Sequence, residues 1–379
     1  MRKILIAISL MTTIACDDSY DVFVESEKQS KEVVSLSMIY DFASSVSPSE
    51  LLGGEFDGNK KLCLKEFDVE TICDTDGDTI YFAINYADDA GYILVDASLN
   101  AEVPILAFND TGKFISTHID ELPIGAESNE NKESFWVEGN IPMLSKVENV
   151  SFNKSSSGDK KLEKEVMPNV GKKYKWGQGN GYNNDAPNHA SIGCPAVAIG
   201  MLCMHNRYPA CFDYSKMPTK IEGDDGTKSN PLSKMLKQIA DNIPNYQWGK
   251  SKDQLSGAKD NNIIEGLKKL GYKNVLAGRI NISEIISNIQ NGQAVLLAGE
   301  HRYDYDSHIW FCDGVAQFFC TSKEDNSDNN VITAPRIKKR RTYLYFNMGN
   351  EGKNDGWYYT QEWGEFSYKK RMFINLTVE

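Results

Sequence analysis

Ser191-Ile192-Gly193-Cys194-Pro195-Ala196-Val197-Ala198-Ile199-Gly200-Met201-Leu202 is the stretch from which the fold is read. Pro195 suits the first turn of a helix, where its missing N–H had no partner to lose, so a helix is expected to open at Cys194. From Ala196 to Met204 the run is apolar on every face, which places that helix in the interior. A thiol at a helix N-terminus meets the positive end of the dipole, which lowers its pKa from about 8.5. Cys194 is therefore a candidate nucleophile at the mouth of a buried helix. Taken alone, the segment fits an inert core cysteine equally well.

A nucleophilic thiol needs a base, and the chain has five histidines. His118 lies far upstream. His205 shares the helix of Cys194 but stands about 16 Å further along its axis. His189 and His301 fall in loops. His308 has the best context, because Gln293 to Ala298 reads as a buried strand after a helix closed by Gly292. A polar loop follows, and His308-Ile309-Trp310-Phe311-Cys312 then opens a second strand ending at Asp313-Gly314. A histidine there is held in a fixed orientation, as a general base requires, although a structural histidine fits the same pattern. Asp313 is five residues away, an odd spacing that turns it to the opposite sheet face. Asn347, at the end of Tyr343-Leu344-Tyr345-Phe346-Asn347, is the candidate to orient the imidazole. Gln178, on the Gly-rich turn Trp176-Gly177-Gln178-Gly179, could join the Cys194 N–H as an oxyanion donor.

Around this core the chain reads as two modules, as its 379 residues suggest. Glu32 to Val46 has helical spacing of apolar residues. Runs at Thr79–Tyr86, Gly91–Val95, Val103–Phe108 and Lys113–Ser116, punctuated by Asp, Gly and Asn, predict an antiparallel meander. Residues 153–165 are Ser/Lys-rich with Leu162 as their one apolar residue, the composition of an exposed, protease-sensitive linker. Such a linker would let the first module fold apart from the second. The boundaries are 31–152 for the first module, 153–165 for the linker and 166–379 for the second.

A net charge of −12 argues against a nucleic-acid partner, which demands a basic footprint. The basic run Lys338-Lys339-Arg340-Arg341 reads as a solvated loop. No C-x-x-C pair or finger-like His spacing suggests zinc, and no cofactor is called for. Cys63, Cys73, Cys203, Cys211, Cys312 and Cys320 form an even set, compatible with disulfides or with buried free thiols.

At the N-terminus, Arg2 and Lys3 precede an apolar stretch too short to cross a bilayer. Thr13-Ile14-Ala15-Cys16 then resembles a bacterial lipoprotein signal, implying residues 1–15 as a removed leader, acylation at Cys16 and a tether over 16–30. Asp17-Asp18 is similar to the export tag of surface lipoproteins in Bacteroidetes. An exported lipoprotein at the outer membrane or cell surface is expected, its only membrane contact the lipid anchor, with a mature form that could be released.

The order Gln178, Gly193-Cys194, His308, Asn347 is that of papain-like peptidases, and the segments around it resemble the streptopain family. Trp176 to Gly179 with Tyr182-Asn183, Gly193 to Ala196 with Tyr208-Pro209, and His308 with Asp313-Gly314 match family segments. Asn347, Gly349, Asp355-Gly356 and Trp357 match a fourth in part. The segment Ala90 to Phe108 is similar to that family's inhibitory pro-domain. The resemblance implies an α+β papain-like catalytic fold, with a buried helix packed on an antiparallel sheet, preceded by a small α+β pro-domain. It also implies a zymogen of a cysteine endopeptidase acting on polypeptides, with the pro-domain as intramolecular inhibitor. Three departures stand out. Met348 and Asn350 replace tryptophans, and Ser307 replaces a glycine, so a wetter and weaker base is expected. The other readings are a pseudopeptidase serving as a binding module, and a transglutaminase-like acyltransferase using Asp313.

Overall fold

The computed structural model describes residues 33–51, 66–74, 76–99, 101, 103–116, 160–222, 228–252, 254–300, 307–322, 336–361, 363 and 366–378. The leader, Cys16, the tether and residues 153–159 of the expected linker lie outside the described residues.

The protein is mixed α and β, built on one large antiparallel sheet with few helices. Helix α1 (Leu36–Ser45) opens at Ser35, whose hydroxyl accepts the Met38 N–H, and buries Ile39, Phe42 and Ala43. The expected meander follows as β1 (Phe67–Cys73), β2 (Thr79–Tyr86), β3 (Tyr92–Asp96) and β4 (Ile105–Asn109), each paired with the next. Lys113 to Ser116 joins no ladder, contrary to expectation. Side chains take its backbone bonds instead, Asn85 on Phe114 and Asn354 on Ile115.

The second module supplies β5 (Lys160–Val166), β6 (Leu276–Arg279), β7 (Val295–Glu300), β8 (Ser307–Ser322), β9 (Arg336–Asn347), β10 (Gly356–Tyr359) and β11 (Tyr368–Ile374). The strand order is β1-β2-β3-β4-β10-β9-β8-β7-β11-β6. Its helices are α2 (Val170–Lys173), α3 (Cys194–Asn206), α4 (Pro231–Asn242), α5 (Asp260–Lys269) and α6 (Ile282–Gln290). Alternation along β7 and β8 explains the layers. Leu296, Ala298, Ile309 and Phe311 face the core around α3 and α4, while Val295, Leu297, Trp310 and Cys312 face the core of α6. Apolar residues on both faces leave these strands buried on both sides.

Two expectations change here. The basic run Lys338 to Arg341 lies in β9, where Lys339, Arg340 and Arg341 pair with Cys320, Phe319 and Phe318 of β8 through backbone groups that do not depend on side-chain charge. Residues 160–165, expected as exposed linker, belong to β5, which pairs with the outer half of β8. Strand β8 changes partner midway: residues 307–312 bond β7, residues 315–320 bond β5, and the register shifts between Cys312 and Gly314. A bulge bends a strand locally, which is what such an exchange requires.

The N-terminal meander is not separate. Strand β4 pairs with β10 at Phe108–Trp357 and Ala107–Tyr358. One core joins Phe82, Ile93 and Phe108 to Tyr343, Tyr345 and Trp357; a second joins Tyr92 and Leu106 to Leu344 and Phe346. The first module is expected to be separable from the second; in the whole chain the sheet and cores of residues 33–116 continue into the C-terminal region.

Candidate active site

Helix α3 begins at Cys194, with Gly193 as its cap and Pro195 in the first turn. Gly193 has φ +87, and a Cβ there would collide with the Ser256 carbonyl and the Tyr246 hydroxyl. Only glycine lets the chain enter the helix at this angle. Ile192 fixes the approach: its N–H donates to the Gln178 carbonyl at 2.8 Å, and its carbonyl accepts the Tyr246 hydroxyl at 2.6 Å. The first bond ties the Gln178 turn to the nucleophile segment.

Gln178, Cys194 and His308 line one pocket of about 400 Å³. Its wall combines α3, the Leu255–Ala258 loop, the start of β8 and Phe366. Every described residue lining it lies between 178 and 366, so the N-terminal meander contributes none.

His308 is oriented by the backbone. Its Nε2 lies 2.7 Å from the Met348 carbonyl oxygen. A carbonyl only accepts, so Nε2 carries the proton and, in the neutral ring, Nδ1 is left as the base. Burial holds His308 below its usual pKa, and the Met348 carbonyl partly offsets this. The ring stacks on Trp310 at 5.9 Å and meets Phe366 at 5.3 Å, with Trp363 packed on Trp310 at 5.5 Å. These aromatics cover the imidazole from β8 and from Trp363 and Phe366, so it is not left bare beside Met348 and Asn350. Gly299 permits this cover, since a Cβ there would strike the Phe366 carbonyl. Ser307 Oγ accepts from Arg371 Nη2 at 2.8 Å.

Asn347 does not orient His308. Its amide nitrogen donates to the carbonyls of Gly171 (2.8 Å) and Tyr174 (2.7 Å), and its oxygen accepts the Gly349 N–H at 3.0 Å. With all these bonds made inward, it clamps the α2 segment to the turn after β9. The orienting atom is the carbonyl of the next residue. Met348 is in turn fixed by Asp355, whose Oδ1 accepts its N–H at 2.8 Å while Oδ2 pairs with Lys175 at 2.9 Å. Burial raises the Asp355 pKa, and Lys175 pulls it back. Sequence reading missed this relay. A backbone carbonyl leaves no residue signature, and Asp355 was visible only as part of Asp355-Gly356-Trp357.

Cys194 and His308 share the pocket without a hydrogen bond between them. The cysteine keeps some exposure, yet protein surrounds its sulfur, and burial pushes the thiol up to about 11 against the pull of the Ile309 N–H and its own. Desolvation thus acts against the dipole advantage expected for Cys194. Burial favours the neutral form of both side chains.

Other candidates are elsewhere. Asp313 sits at the β8 bulge, on the face away from His308, and accepts the N–H groups of Asn169 and Gly171 at 3.1 Å each. His205 approaches it, Nδ1 to Oδ2 at 3.9 Å. His189 is exposed outside the pocket; His118 and His301 lie outside the described residues. Cys73, Cys194, Cys203, Cys211 and Cys312 are free thiols, while the side chains of Cys63 and Cys320 lie outside the described residues. Among the described residues no group of three His, Cys, Asp or Glu could hold a metal ion, and no helix is long and apolar enough to cross a membrane. No protein-family model matches the chain, and no curated protein matches it.

Proposed function

We propose that the protein is a cysteine endopeptidase of streptopain-like, papain-like type. The observation that carries this reading is the convergence on one pocket of a helix-opening cysteine, a histidine held through Nε2 by a carbonyl, and a glutamine. As Cys194 Sγ attacks the peptide carbonyl carbon, His308 Nδ1 takes the thiol proton. The Gln178 amide and the Cys194 N–H donate to the oxyanion. The intermediate collapses by breaking the C–N bond, and the imidazolium protonates the departing amine. Water then adds to the thioester, its proton passing to His308, and the acid leaves as the thiol is restored. Transfer of the proton during attack, rather than from a preformed ion pair, suits the raised thiol pKa.

The raised thiol and the missing Cys–His bond favour one competitor, a pseudopeptidase that binds peptides without cutting them. Acyl transfer through Asp313 has no such support, since that carboxylate is engaged on the far face. The test is treatment of the exported chain with an electrophilic epoxide, mapping of the modified residue, and casein hydrolysis in parallel. Modification at Cys194 with hydrolysis sustains the proposal; neither modification nor hydrolysis favours the binding module.

Export as a lipoprotein through Cys16 belongs to the same reading, and labelled palmitate ought to enter the wild type but not Cys16→Ala. So does zymogen control by the region preceding the catalytic module. Because β5 begins at Lys160, the activating cut belongs within 153–159, and N-terminal sequencing of the active species checks it.

A further inference from the structure

A second, larger depression of about 1060 Å³ adjoins the catalytic pocket, and the two share Ala258, Asp260 and Ser307. Its wall carries Lys259, Arg279, Lys369, Lys370 and Arg371 against the carboxylates of Asp260 and Glu300. A surplus of cations in one depression is notable in a chain of net charge −12. Both carboxylates are already engaged. Arg371 meets Asp260 at 2.6 Å and Glu300 at 3.2 Å, and Lys369 meets Glu300 at 2.8 Å. Lys370 donates to the Gln361 carbonyl at 2.6 Å and lies over the Trp363 ring at 4.8 Å. Lys259 and Arg279 are exposed, and neither is ion-paired among the described residues. The first turn of α5 lines the same depression and adds the positive end of its dipole.

We propose that this depression is a substrate subsite that takes acidic side chains of a polypeptide whose neighbouring residues occupy the catalytic pocket. This rests on the peptidase reading for the class of ligand. The shared wall is what links the two spaces: an extended chain advances about 3.3 Å per residue, so residues adjoining the scissile bond pass from one into the other. The volume exceeds a single side chain and suits more than one residue. Lys259 and Arg279 supply the selecting charge, while Arg371, held between Asp260 and Glu300, forms the rigid floor.

The test uses the full chain bearing Cys194→Ala and two fluorescein-labelled random decapeptide pools, one with two fixed Glu and the other with Gln at those positions. Fluorescence anisotropy gives the ratio of affinities. Exposed charge pairs contribute modestly, so the Glu pool ought to bind about three- to tenfold more tightly, less so in 0.5 M salt. Lys259→Glu with Arg279→Glu ought to bring the ratio to unity or reverse it, and Arg279→Gln ought to lower it partway. Both sites are exposed, so folding is expected to survive, and circular dichroism checks that. An unchanged ratio in the double variant, or no binding of either pool, overturns the subsite. Cleavage of the pools by the chain with Cys194 intact is scored separately. If neither pool is cut while the Glu preference persists and depends on Lys259 and Arg279, the peptidase reading fails and the acidic-peptide site stands.

Discussion

At the first residue of α3, Cys194 lines one pocket with His308 and Gln178; near its last turn, Cys203 and His205 lie beside Tyr272 and Asp313. The two ends carry similar residue types, and the second even supplies the His–Asp pair that a catalytic triad uses. Burial separates them. Cys203 is fully buried, its thiol pushed up to about 12 with the Tyr272 hydroxyl 3.8 Å away, and its surroundings are core. Asp313 spends its carboxylate on backbone N–H groups of the α2 segment. At the first end the helix N-terminus opens on a cavity, and the imidazole is held by a carbonyl that leaves its second nitrogen free. Chemically competent residues therefore make a site only where they keep an unsatisfied atom facing a space that a substrate can enter.

The comparison breaks most sharply at the two cysteines. Cys194→Ala ought to lower hydrolysis by about 10⁴- to 10⁶-fold with folding intact, whereas Cys203→Ala ought to leave activity per folded molecule within about twofold. Peptide turnover and a thermal melt measured on both variants decide it. Near-wild-type turnover in Cys194→Ala would end the assignment.

His308→Ala comes next, with an expected loss of about 10²- to 10⁴-fold. Its pH behaviour sharpens the point. Burial depresses the folded pKa of His308 below the ordinary 6.5, so the base stays neutral, and kcat/KM holds, into pH values below that. The unfolded chain takes up the proton first as pH falls. The associated stability is therefore complete above about 6.5 and is lost on acidification below it. A pH–rate profile whose acid limb lies above 6.5 would show a stabilised imidazolium instead. In His308→Ala the corresponding slope in stability ought to disappear.

A smaller effect is expected at Asp355. Asp355→Asn keeps an acceptor for the Met348 N–H but removes the charge opposite Lys175, and ought to cost about tenfold in kcat, with KM little changed, through a displaced Met348 carbonyl. A positioning role also predicts a moved acid limb in the pH profile, which loss of stability alone would not produce. Asp355→Ala leaves a partly buried lysine without its partner and ought to destabilise by about 3–5 kcal/mol.

The smallest catalytic effect belongs to Asp313. Asp313→Ala strands two backbone N–H groups and ought to destabilise by about 2–4 kcal/mol in denaturant melts, with turnover per folded molecule within about twofold. If Asp313→Ala harms turnover more than His308→Ala does, the second end of α3 is the chemical one.

Much of this was legible in the chain because it followed from local periodicity. The apolar stretch after Pro195 gave α3, alternating runs gave β2 to β4, and the odd spacing of Asp313 from His308 correctly put them on opposite faces. Where tertiary partners supplied the hydrogen bonds, reading failed. Lys113 to Ser116 has strand composition but satisfies its backbone through Asn85 and Asn354. Residues 160–165 have linker composition but are held by the backbone of β8, which is indifferent to side-chain polarity.

The sequence by itself determined that a buried helix begins at Cys194 and that an antiparallel meander precedes it, and it offered Gln178 and His308 as candidates to set beside the thiol. Those conclusions rest on side-chain type and spacing, which are properties of the chain before it folds. Only the tertiary structure decided that the Met348 carbonyl, not Asn347, holds the imidazole, that burial raises the Cys194 thiol pKa, and that β4 joins β10 in one sheet. Each depends on where a backbone group or a solvent boundary ends up, and peptide groups and water are the same at every position of the sequence.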